Sequence, residues 1–131
     1  EDPLDIQRLV ITGSGGPFLH KKIFDLQNVR QSEAIIHPHF SMGAKVSVDS
    51  STLMNKGFEM IAASYLFEIE PTKIELVIHP EQKIQSCVEF IDGSMIAQIN
   101  EPDMLVPIQY ALSFPHRKPG MRPSFDFIKH I

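Results

Sequence analysis

Alternation and periodicity divide the chain into short strands and one long amphipathic segment. Arg8 to Thr12 (RLVIT) is a β-branched run that stops at Gly13, Gly15, Gly16 and Pro17, the pattern of a strand entering a tight loop. Ile74 to His79 alternates Ile74, Leu76 and Ile78 with Glu75, Val77 and His79, which predicts a strand with one apolar face. Gln85 to Ile91 and Ser94 to Ile99 are two further strands joined by Asp92 and Gly93. A two-residue Asp-Gly connection predicts a hairpin, because both positions tolerate positive φ. Ser50 or Ser51 can cap a helix that runs to about Phe67, and Pro71 prevents its continuation. Met104 to Phe114 makes a shorter helix with Leu105, Ile108 and Leu112 in register.

Strand, helix, then three strands predicts an α+β fold, a mixed four-stranded sheet with helices on one face. The opposite face is expected to carry Cys87, Glu89 and Ile91 with Ile96 and Gln98, a half-apolar surface of the kind that meets a second copy. Leu19 to Pro38 shows only a weak helical pattern around Ser32 to Ile36. Residues 14–43 bury too little to be held rigidly and are expected to form a mobile lid that orders over ligand. Pro115, Pro119, Gly120 and Pro123 then break regularity, so 115–131 reads as an extended connection after a domain at 1–114.

The long helix carries the densest chemistry. At about 100° per residue, Thr52, Asn55, Lys56 and Glu59 fall within roughly a third of the circumference, with Leu53, Met54, Phe58, Ile61 and Tyr65 over much of the rest. An amide, an ammonium and a carboxylate in one sheltered space can hold a phosphate and a metal ion together. A solvated Lys56/Glu59 pair at i,i+3, worth only about a few tenths of a kcal/mol, is the bland alternative.

The 131 residues match one domain. With 43% hydrophobic and 21% charged residues the chain is an ordinary globular one. No apolar run approaches the ~20 residues of a membrane span. Cys87 is the single cysteine, which excludes an internal disulfide framework and fits a reducing compartment. A formal charge of −4 lacks the basic stripe of a nucleic-acid binder. An anionic substrate must therefore be captured by local donors. Gly13-Ser14-Gly15-Gly16 has neither the GxGxxG nor the Walker spacing, yet its amides and hydroxyl can wrap a phosphate. His37, His39 and His79 lack the cysteine or carboxylate partners of a structural zinc site.

GSGGPF at Gly13 to Phe18, HPHFSMGAKVSVDSSTLMNKGFE at His37 to Glu59, LVIHP at Leu76 to Pro80, DGSMIAQ from Asp92 and EPDM from Glu101 resemble, in the same order, the 1-deoxy-D-xylulose 5-phosphate reductoisomerase family. The resemblance covers nearly the whole chain and corresponds to the central catalytic domain. It implies a fold similar to the second domain of glyceraldehyde-3-phosphate dehydrogenase, a homodimer, a bacterial cytoplasmic or plastid-type location, and a further helical domain beyond 115–131. It also implies metal-assisted rearrangement of a sugar phosphate followed by NADPH reduction to 2-C-methyl-D-erythritol 4-phosphate, in the non-mevalonate isoprenoid pathway.

By the same resemblance Lys56 and Glu59 are catalytic, and Ser14, His37, Ser50, Asn55 and Lys56 bind substrate. Gly13, Met42 and Met104 meet the nicotinamide cofactor. Glu59 is one carboxylate of a magnesium or manganese site, whose other acidic ligands are expected before the first residue here, together with the NADPH-binding domain. The fragment alone is accordingly expected to be inactive. Ser50 also reads as a helix cap, and helix N-termini attract anions. Two positions depart from the family pattern: Phe40 stands for a lid tryptophan, and Gln85 stands for a histidine and cannot titrate near neutral pH. A dimerisation module without activity and a reductase for another sugar phosphate remain the alternative readings.

Overall fold

The computed structural model describes residues 3–38, 41, 43–120 and 124–130. Four strands form one mixed sheet: β1 (Ile6–Gly13), β2 (Ile74–Ile78), β3 (Ile84–Phe90) and β4 (Met95–Ile99), in the order β2-β1-β3-β4. β1 runs parallel to β2 and antiparallel to β3, which pairs antiparallel with β4. The helices are α1 (Gln31–Ala34), α2 (Ala44–Ser51), α3 (Met54–Phe67) and α4 (Leu105–Ser113). The α+β class and the mixed four-stranded sheet agree with the expectation.

α3 closes the core against the sheet. Ala63, Ile69 and Ile74 are buried together, with Ile6, Leu9, Ile11 and Met60 packed around them. Leu9 faces Ile74 across the parallel pair, and Ile11 faces Leu76, so one sheet face is apolar by the period-2 rule. A register shift between Ile6 and Arg8 pairs Ile6 with Phe90, and the bulge returns Ile6 to the core face. Ser64 Oγ donates to the carbonyl of Ile69 at 2.7 Å and fastens the end of α3 to the core.

Three expectations are corrected. The first concerns the long helix, which is two helices. Leu53 adopts φ +60°, a left-handed conformation that breaks the ladder, and α3 starts afresh at Met54. Thr52 lies in the break, where its hydroxyl donates to the Asp49 carbonyl, and so leaves the polar seam. Ser50 sits in the last turn of α2 and caps no N-terminus. The apolar positions taken as the buried side of the helix, Met54, Phe58, Ile61 and Tyr65, are exposed, because Met60 and Ala63 are the side that meets the sheet.

The second concerns the hairpin. Gly93 N–H donates to the Phe90 carbonyl at 2.9 Å, so the loop has three residues, and only Gly93 takes positive φ, at +84°. A three-residue loop with glycine last needs one left-handed residue, and Asp92 instead uses its carboxylate to accept from Ser94 N–H and Oγ. The third follows from the register. Ile96 pairs with Val88 and Gln98 with Ser86, in line with Leu9 and Ile11, so both lie on the helix-bearing face. Met95 and Ala97 are the true neighbours of Glu89 and Cys87 on the open face. Arg8 crosses that face to Glu75 and Glu89.

Candidate functional site

The end of β1 delivers the glycine loop to the mouth of a cleft of about 850 Å³. Gly15 and Gly16 take φ of +90° and +71°. A side chain at Gly16 would lie 2.4 Å from the Ser50 carbonyl oxygen, so the loop rests directly on the end of α2. Glycine is required there by both conformation and space. Gly16 N–H donates to Ser14 Oγ at 3.3 Å, and Ser14 Oγ lies 3.1 Å from His37 Nε2. His37 is 8% exposed and Ser50 3%, so both polar groups are shielded.

The restart of the helix at Met54 places Asn55 and Lys56 in the first turn of α3, where the helix dipole is positive. The Lys56 stem crosses Gly13, whose missing side chain would come within 3.2 Å of it. Lys56 Nζ donates to both Glu59 oxygens at 2.9 Å. That pair is half sheltered, with side-chain exposures of 18% and 48%. Asn55 Oδ1 is buried with no hydrogen-bond partner among the described residues, at a cost of about 1–3 kcal/mol.

The facing wall is α4 and the loop before it, with Asp103, Met104, Pro107, Tyr110 and Arg117 toward the cleft. Met104 precedes α4 and is 67% exposed, a flat soft surface for a ring. The structure thus brings together Ser14, His37, Ser50, Asn55, Lys56, Glu59 and Met104 around one space. Gly13 supports Lys56 from behind. Met42 lies outside the described residues, as do His39 and Phe40.

The sequence reading set Gln85 aside, missing its structural part. It lies at a register shift in β3, where its amide donates to the carbonyls of Gln82 and Asn100 and ties the cleft floor to the loop before α4. Thr12 Oγ1 donates to the carbonyls of Ile84 and Gln85, at 2.7 and 2.9 Å. Arg117 and Tyr110 carried no spacing signal at all. Among the described residues no three His, Cys, Asp or Glu side chains gather as a cation site. Glu59 offers hard oxygens suited to magnesium, and a complete coordination sphere needs ligands from outside these residues. No described helix is long and apolar enough to cross a membrane.

Comparison with known proteins gives the chain its relatives. Residues 1–67 match the family model described as the 1-deoxy-D-xylulose 5-phosphate reductoisomerase C-terminal domain. The reductoisomerase of Protochlamydia amoebophila is 51% identical over 125 residues, covering 95% of this chain and 33% of that protein. That of Caldanaerobacter subterraneus is 54% identical over 114 residues, covering 87% and 30%. A reductoisomerase structure in complex with NADPH, fosmidomycin and magnesium superposes with a TM-score of 0.87 at 45% identity, covering 95% of this chain and 31% of that one. The Zymomonas mobilis enzyme in complex with NADPH gives 0.87 at 41%, covering 98% and 32%. The chain spans about a third of the length of these relatives. On the match of its first 67 residues to the family model, the chain belongs to the 1-deoxy-D-xylulose 5-phosphate reductoisomerase family.

Proposed function

We propose that this chain is the catalytic domain of a reductoisomerase that rearranges 1-deoxy-D-xylulose 5-phosphate and reduces the product with NADPH to 2-C-methyl-D-erythritol 4-phosphate. The observation that carries this is the convergence of Ser14, His37, Ser50, Asn55, Lys56 and Glu59 on one cleft. Ser14, His37 and Ser50 bind the phosphate: two hydroxyls and an imidazole stand at the cleft beside the glycine loop. Asn55 and Lys56, at the positive end of α3, orient the substrate oxygens. Met104 packs against the nicotinamide, backed by Gly13 beneath Lys56.

Glu59 fits as one ligand of a magnesium or manganese ion, which when bound supplies Lewis-acid polarisation of substrate carbonyl and hydroxyl oxygens. Its present bond to Lys56 holds the carboxylate at the cleft. Remote binding of the phosphate draws residues 14–43 over the cleft and excludes water before hydride transfer. The exposure of its middle supports the lid, with Ile23 80% and Phe24 81% exposed. Residues 115–131 form the connection to a further domain. The open sheet face, with Cys87, Met95 and Ala97 around the Arg8 ion pairs, is the homodimer surface.

The test uses the full-length enzyme. Glu59→Gln is expected to weaken magnesium binding and lower kcat by more than the ~10–100-fold that loss of an outer hydrogen-bond partner costs a metal site. Ser14→Ala should chiefly raise KM for the sugar phosphate. Wild-type turnover by Glu59→Gln in magnesium would overturn the assignment. The 131-residue chain by itself should not turn over.

A further inference from the structure

We propose that Arg117 forms a second phosphoryl subsite on the α4 wall of the cleft. The inference rests on the reading that the cleft takes phosphorylated ligands, and it adds a group that neither the motifs nor that reading includes. Among the described residues, two permanent cations line the cleft, Lys56 and Arg117. Lys56 is answered by both oxygens of Glu59. Arg117 has no carboxylate partner among the described residues.

Its position is nevertheless fixed. The guanidinium carbon lies 4.3 Å from the centre of the Tyr110 ring, which is held in turn by an edge contact with Phe114 at 5.8 Å. The segment that carries Arg117 is pinned to α4 at three points. His116 N–H donates to the Ser113 carbonyl at 2.9 Å, Ser113 Oγ donates to the His116 carbonyl at 2.7 Å, and Gln109 Nε2 donates to the Pro119 carbonyl at 2.8 Å. The ring takes one side of the guanidinium, and no described residue hydrogen-bonds its N–H groups. Those groups match two oxygens of a phosphoryl group in a bidentate contact, and a cation already held on a ring loses little freedom on binding. The ligand class is therefore a phosphate ester. Its source is either the sugar phosphate or the pyrophosphate of the dinucleotide.

The subsite is tested on the 131-residue chain by ¹⁵N NMR, following the Arg117 Nε–Hε resonance and the Gly15 and Gly16 amides during titration with inorganic pyrophosphate. A saturable shift at Arg117 is expected, weakened at least about tenfold in Arg117→Met, as loss of a charge-assisted hydrogen bond implies, while the glycine amides respond as before. Arg117→Lys should retain part of the affinity. Movement of the glycine amides with a silent Arg117, or an Arg117 shift reproduced by sodium chloride at equal ionic strength, overturns the subsite and leaves the cleft reading intact. Silence at both places overturns the cleft reading as well. Parallel titrations with glycerol 3-phosphate and with NADPH assign the source, because a sugar-ester site answers the first and a dinucleotide site the second.

Discussion

One wall of the cleft grows out of the sheet, while the other hangs from it by a loop. On the first, the glycine loop continues β1 and rests on α2, and α3 packs into the core through Met60 and Ala63. Its polar groups are consequently shielded, His37 at 8% and Ser50 at 3% exposure. On the second, α4 follows β4 after Asn100 to Met104 and carries Met104 at 67% and Leu112 at 85% exposure. The shielded polar groups of the cleft stand on the first wall, and the second presents Met104 and Arg117 from a segment held by its own ring contact and hydrogen bonds. Burial thus holds the groups of the first wall, and local side-chain contacts hold those of the second.

The comparison breaks most readily at Gly16. Gly16→Ala combines a left-handed backbone with a contact of 2.4 Å to a carbonyl oxygen that cannot withdraw without unseating α2. A loss of about 3 kcal/mol or more is expected, from about 1–2 for the backbone and a comparable overpacking term. A urea midpoint unchanged by Gly16→Ala would show that the first wall is as loose as the second. Gln85→Glu comes next. It removes the donors to Gln82 and Asn100 and sets a carboxylate against two carbonyls, for about 1–3 kcal/mol. Because Asn100 begins the loop to α4, hydrogen exchange should rise at α4 more than at the glycine loop.

The same contrast governs what could be read beforehand. Strands were legible because alternation survives any packing partner, and Ile74, Leu76, Leu9 and Ile11 fell on one face as their spacing required. The site motif was legible as a string, and of its described members Ser50, Asn55, Lys56 and Glu59 line one cleft. Its geometry was not, because nothing in a Thr52-Leu53-Met54 run announces a left-handed leucine, and that one residue moved Ser50 from a helix start to a helix end. The hairpin misled for a related reason: one extra loop residue, Ile91, shifts the register and carries Ile96 and Gln98 to the other face. Arg117 was invisible because its role depends on stacking and on three hydrogen bonds, none of which has a fixed spacing.

On the looser wall the expected effect is small. Leu112→Ser should change stability of the isolated chain by no more than about 0.5 kcal/mol, since the side chain is 85% exposed. A larger loss in thermal melting would mean that α4 is packed in solution as firmly as α3, and the contrast between the walls would lapse.

The smallest effect concerns how residues 21–33 are tied to one another. Glu33, in α1, accepts from Lys21 Nζ and, at 2.9 Å, from Arg30 N–H. The Lys21 hydrogen bond, and after it the Arg30 backbone bond, hold its carboxyl below the ordinary glutamate value of 4.5. A depressed folded value means that the contribution is present above 4.5 and is lost as pH falls through the folded value. A ¹³C carboxyl titration should therefore place Glu33 below an ordinary glutamate, and Lys21→Gln should bring it back up. An ordinary midpoint in the unmodified chain would show that residues 21–33 are untied from one another in solution, which would make the stretch after the glycine loop as loose as α4.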